Sequence, residues 1–100
     1  MYKTKSTKNY QGMKLFVGID VHKRTFSIAA ICEGVFVKTW SMEADPQKCI
    51  ESLMSYFDGA IISSVYEAGF SGYTLHRSLK SAGIDNIVII VGSIVYMGRL

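Results

Sequence analysis

Only two residues, Glu33 and Gly34, separate the apolar run 25–32 (TFSIAAIC) from the run 35–41 (VFVKTWS). A link this short joins antiparallel neighbours, and its glycine supplies the positive φ that such turns need. A further strand-like run, residues 14–21 (KLFVGIDV), precedes them across another short connection. The chain therefore opens with three antiparallel neighbours.

The later connections are long enough for helices. Asp45-Pro46 supplies an N-cap acid and a first-turn proline. Ile50, Leu53, Met54 and Phe57 then recur at helical spacing, giving one apolar face that Gly59 closes. Residues 60–66 (AIISSVY) read as a fourth strand. Ser71 is placed to cap a second helix with Leu75, Leu79 and Ala82 inward, ended by Gly83, with Ile84 packing back on it. Residues 86–91 (NIVIIV) read as a fifth strand. Strands joined through a helix run parallel. The expected fold class is therefore α/β, a mixed sheet in the order β-β-β-α-β-α-β. Helices covering that sheet explain a run as continuously apolar as NIVIIV, and Phe36 and Trp40 read as sheet-face packing residues.

The chain has 100 residues, 49% of them hydrophobic, with one proline and a formal charge of +3. That is one small domain or part of one, able to bury a core. Lys3, Lys5 and Lys8 sit among polar residues in the stretch 1–13, with Lys14 just beyond. The stretch reads as a flexible basic arm, one that lies along phosphates or is simply a solvated terminus. The domain proper is expected over 14–100. Cys32 and Cys49 lack CxxC spacing and read as buried free thiols in a reducing, cytoplasmic compartment. No signal peptide is expected, and no membrane span: the apolar stretch 84–97 is short and carries Asp85, Asn86, Gly92 and Ser93. Two histidines and two cysteines, scattered, do not make a zinc site.

Two acids stand out by position. Asp20 ends the first strand and Glu67 ends the fourth. If these strands are parallel neighbours, both carboxylates leave the same edge, about 4.8 Å apart by strand spacing. Open α/β sheets build their sites at that edge. Paired carboxylates suit Mg²⁺ or Mn²⁺, hard ions that activate a nucleophile and stabilise a leaving oxygen at a phosphodiester. The plainer alternative makes Asp20 a turn cap and Glu67 a surface acid. Lys23 and Arg24 follow Asp20 and can reach phosphate oxygens, or be a solvated turn. His22 can orient a carboxylate or water, or be a structural histidine. Tyr73 and Arg77 lie one turn apart on the second helix, where Arg77 can meet nucleic acid or form an amphipathic rim. Gly69, Ser71 and Gly72 lack nucleophile-elbow spacing, and no P-loop or dinucleotide motif is present.

The stretches VGIDVHKRTFSIAA (17–30) and YEAGFSGYTLHRSLKSAGI (66–84) resemble the two opening motifs of the DEDD transposases of bacterial insertion sequences, in the group numbered 110. The resemblance covers roughly residues 15–88. It implies an RNase H-like, RuvC-like domain whose metal-binding acids come in the order Asp, Glu, Asp, Asp. Asp20 corresponds to the first and Glu67 to the second. It implies Mg²⁺ or Mn²⁺ as cofactor, and DNA of the element and its target as partner. It also implies a guide RNA for some members, and a homo-oligomer at full length. The chain has no aspartate after Asp85, and nothing matches the family's C-terminal serine domain. The expectation is a truncated transposase domain, inactive alone. The alternatives are a non-catalytic remnant that at most binds nucleic acid, and an actin-like or sugar-kinase ATPase half. The latter usually has a Gly-Thr or Gly-Ser loop where Val21-His22-Lys23 stands here.

Overall fold

The computed structural model describes residues 9–69 and 73–90, and the backbone of Val95 and Tyr96. The elements are β1 (Lys14–Val21), β2 (Thr25–Cys32), β3 (Val35–Glu43), α1 (Pro46–Tyr56), β4 (Ile61–Glu67), α2 (Thr74–Ser81), β5 (Asp85–Ile90) and the two-residue β6 (Val95–Tyr96). They form one mixed sheet in the order β3-β2-β1-β4-β5-β6. β1 pairs antiparallel with β2, and β2 with β3, while β1–β4 and β4–β5 are parallel. The element order is the one expected, with β6 added as an antiparallel end strand.

The opening turn is tighter than a single glycine implies. Glu33 (φ 53°) and Gly34 (φ 84°) both lie in the left-handed region, as a two-residue type I′ turn requires. α1 begins as expected: the Asp45 carboxylate accepts a hydrogen bond from the Lys48 amide at 3.1 Å, and Pro46 occupies the first turn. It buries Cys49, Ile50, Leu53 and the capping Phe57, whereas Met54 is exposed. α2 starts at Thr74, and its capping residue Tyr73 makes no side-chain cap bond. Ser71 and Gly72 lie outside the described residues.

The two helices share one face of the sheet. The crossovers β3-α1-β4 and β4-α2-β5 advance in the same direction across the strand order. Right-handed crossovers running one way place their helices on one side. Accordingly, Leu15, Val17 and Ile19 of β1, Ile62 and Tyr66 of β4 and Val88 of β5 share one core with Leu53 of α1 and Leu75 and Leu79 of α2. The alternate residues face the other way, where Phe16 is 55% and Ile87 42% exposed. This corrects the expectation of a sheet covered by helices. NIVIIV is continuous in sequence but alternates in burial along Asp85–Ile90.

Two further expectations are corrected. Tyr10, placed in the arm, is 8% exposed and stacks edge-on against Phe57 at 5.0 Å. The Gly12 amide donates to the Gly59 carbonyl and the Ile61 amide to the Met13 carbonyl, both at 2.8 Å. Residues 10–13 therefore belong to the folded body; residues 1–8 of the expected arm lie outside the described residues. Phe36, expected to pack on the sheet, is 67% exposed beside the turn. Trp40 does pack, edge-on against Tyr56 at 5.0 Å. Among the described residues, no helix is long and apolar enough to cross a membrane.

Candidate functional site

β1 and β4 are parallel neighbours at the centre of the sheet, in register through Gly18–Val65 and Ile19–Tyr66. Asp20 and Glu67 are the next residue on each strand, so they leave the sheet in step at its carboxyl edge. Ile19 and Tyr66 point into the core. Strand alternation therefore sends both acids to the open face, where both are exposed. They line the same shallow depression, together with Gly18, Ser27, Thr39 and Ser41.

The immediate chemistry is simple. His22 Nε2 lies 3.2 Å from Asp20 Oδ2, both side chains being largely solvent-exposed. A pair this wet adds little stability. Lys23 and Arg24 are exposed in the β1–β2 turn directly after Asp20. That turn is tied down by the His22 amide donating to the Thr25 carbonyl and the Ala44 amide donating to the Arg24 carbonyl, each at 2.9 Å. Arg77 is exposed on α2, on the side of the sheet away from the acids, and does not line the depression. The structure thus places Asp20 and Glu67 in one depression, with His22 against Asp20 alone and Lys23 and Arg24 in the adjoining turn, and leaves Arg77 apart.

Among the described residues, no group of three or more His, Cys, Asp and Glu side chains is arranged to hold a metal ion. The donor set at this edge is two carboxylates. That set still fits Mg²⁺, which commonly takes one or two protein carboxylates and fills its octahedron with water and substrate phosphate.

Two features of the region escaped the sequence reading. Ser27 and Ser41 face each other in the depression, hydroxyl to hydroxyl at 3.2 Å. Their meeting depends on strand register, which spacing alone does not supply. On the helix side, a buried polar network ties α2 to the strands behind Glu67. The Asn86 amide nitrogen lies 2.8 Å from His76 Nδ1, and Ser64 Oγ lies 2.8 Å from Asn86 Oδ1 and 2.9 Å from the Asp85 carbonyl. The His76 backbone N–H donates to the Tyr66 hydroxyl at 3.1 Å. Burial first, then the charges of Lys80 and Arg77, push the His76 pKa below its ordinary value. Neutral His76 accepts at Nδ1, as this bond requires. A histidine beside inward Leu75, with an asparagine opening an apolar strand, was the available signal.

No protein-family model matches the chain. Over 86 residues it is 36% identical to the transposase for insertion sequence element IS1533 of Leptospira borgpetersenii. The match takes in 81% of this chain and 24% of that protein, so the chain spans about a quarter of the length of the curated relative it matches. Over that stretch it is similar to an insertion-sequence transposase. Among solved structures it is similar to the Aquifex aeolicus PPX-GPPA enzyme, at 14% identity and a TM-score of 0.42, covering 78% of this chain and 36% of that one.

Proposed function

We propose that this chain carries part of the DNA-cutting site of an insertion-sequence transposase, built on an RNase H-like, RuvC-like sheet of the DEDD group numbered 110. One observation carries the reading: Asp20 and Glu67 leave adjacent parallel strands in step, on one face, into one depression. The transposase relative and the opening order of three antiparallel strands followed by parallel ones support it.

In this reading Asp20 and Glu67 hold Mg²⁺ or Mn²⁺ at the carboxyl edge. A metal bound there would supply Lewis acidity and an activated oxygen nucleophile for phosphodiester chemistry. The chain's own residues do the rest. His22 orients the Asp20 carboxylate, and Lys23 and Arg24 draw in the phosphate backbone of element or target DNA. Guide-RNA use and oligomer formation belong to the full-length relatives' side of the proposal. With two carboxylates and no aspartate after Asp85, the chain alone binds a divalent ion weakly and does not cut DNA.

The absence of a three-ligand cluster among the described residues favours a second reading, a remnant that binds nucleic acid without chemistry. Calorimetric titration of the chain with Mn²⁺ separates the two. The site reading expects saturable binding that Asp20→Asn and Glu67→Gln each abolish, with the fold retained by circular dichroism. Binding that is absent, or indifferent to both changes, leaves the remnant.

A further inference from the structure

A transverse row runs across four strands of the open face. Asp20 on β1 stands in step with Glu67 on β4; Asp20 is paired with Ser27 on β2, and Ser27 with Ser41 on β3. The row therefore reads carboxylate, carboxylate, hydroxyl, hydroxyl. The row behind it is Val65, Gly18, Ala29 and Thr39, linked by the same pairings. Both rows line the one depression.

We propose that Ser27 and Ser41 are positioning residues for the sugar-phosphate backbone of a DNA strand whose reacting phosphate lies at the Asp20–Glu67 pair. The strand then crosses the sheet from β4 toward β3. This rests on the metal-site reading of the two acids given above.

Three physical points support the direction of travel. The first is donor supply. The serine hydroxyls sit 3.2 Å apart, so their mutual bond uses one proton and leaves the other to donate to a phosphate oxygen. The second is clearance. Gly18 has no side chain and open space above it, and Ala29 only a methyl group, so the floor just behind Asp20 and Ser27 lies low enough for a backbone to approach. The third is charge. A lysine in this row would pair with the carboxylates and compete with a cation, whereas a hydroxyl contacts phosphate without neutralising them. Ser27 and Ser41 stand one and two strand spacings from Asp20, roughly 5 and 10 Å. Contacts of this kind fix position and carry no base information, so the row binds DNA regardless of sequence.

The test uses the 100-residue chain, Mn²⁺ and a short fluorescein-labelled single-stranded DNA followed by anisotropy, with Mn²⁺ affinity measured separately by calorimetry. Ser27→Ala combined with Ser41→Ala is expected to weaken DNA binding about ten-fold, the loss of one hydrogen bond to a charged phosphate, with Mn²⁺ affinity unchanged. Threonine at both positions restores binding. Ser63→Ala, on the same face but outside the row, leaves it intact. DNA binding that ignores the double alanine change, that falls equally with Ser63→Ala, or that is absent in the unaltered chain overturns the proposal, as does preference for RNA over DNA. Failure at the serines with Mn²⁺ still bound sinks this inference alone; failure of Mn²⁺ to bind sinks the acid-pair reading and this one with it.

Discussion

Single residues mark where local rule and global fold disagree. Glu33 holds φ 53° at a turn position that favours Asn, Asp or Gly. A left-handed conformation costs a side-chain-bearing residue about 1–2 kcal/mol, relieved where a short polar side chain bonds locally. Glu33→Asn is therefore expected to stabilise the chain by roughly 0.5–1 kcal/mol, read as a rise in melting temperature. Gly59 is the converse case. At φ 82°, a Cβ there would meet the Gln11 side chain that residues 10–13 lay over it. Gly59→Ala combines strain and clash, and a loss on the order of 1–3 kcal/mol is expected in urea unfolding. Gly34 was readable because it fills a two-residue gap. Tyr10 was not, because a lone aromatic among Asn9, Gln11 and Gly12 carries no periodic signal, and only tertiary packing against Phe57 reveals its place.

At the scale of elements, what was legible followed from link length. The two-residue link fixes β2–β3 as antiparallel, and helical spacing between strands fixes β4 and β5 as parallel. The placement of Asp20 and Glu67 at one edge needed a further condition, that β1 and β4 are neighbours, which link length does not supply and the strand pairing provides. Face assignment did not follow, since NIVIIV has no polar residue after Asn86 to announce which positions face outward. The His76–Asn86–Ser64 network was equally hidden, because it needs the register of β4 against β5 and the rotation of α2. This network makes α2 acid-sensitive. The folded state holds His76 below its ordinary pKa, so below about pH 6.5 the unfolded chain takes up a proton that the folded chain refuses. Stability is full above that point and falls on acidification, by at most about 1.4 kcal/mol per pH unit for one proton. Urea midpoints compared across this window should drop in the unaltered chain and drop less in His76→Gln. Parallel pH profiles would remove His76 as the cause.

As a whole molecule, the chain is a sheet with helices on one side. Phe16, Ile61 and Ile87 remain exposed on the other. Exposed apolar surface of this extent drives association unless something covers it. Phe16→Lys combined with Ile87→Lys is expected to lower the apparent mass in sedimentation at high concentration without altering the far-ultraviolet spectrum; an unaltered chain that is already monomeric at that concentration contradicts this. The same one-sidedness leaves the acids accessible, since the depression with Asp20 and Glu67 lies on the face the helices do not reach.

The central claim is that one divalent cation is held jointly by two carboxylates from neighbouring parallel strands. Substoichiometric Mn²⁺ added to the isotope-labelled chain reports on this directly, because paramagnetic broadening falls steeply with distance from the ion. The expected spectrum loses the amide signals around Asp20 and Glu67 together, at the same Mn²⁺ concentration, while those of α2 persist. Broadening centred on only one of the two strand ends, or spread evenly over all exposed acids, would contradict it.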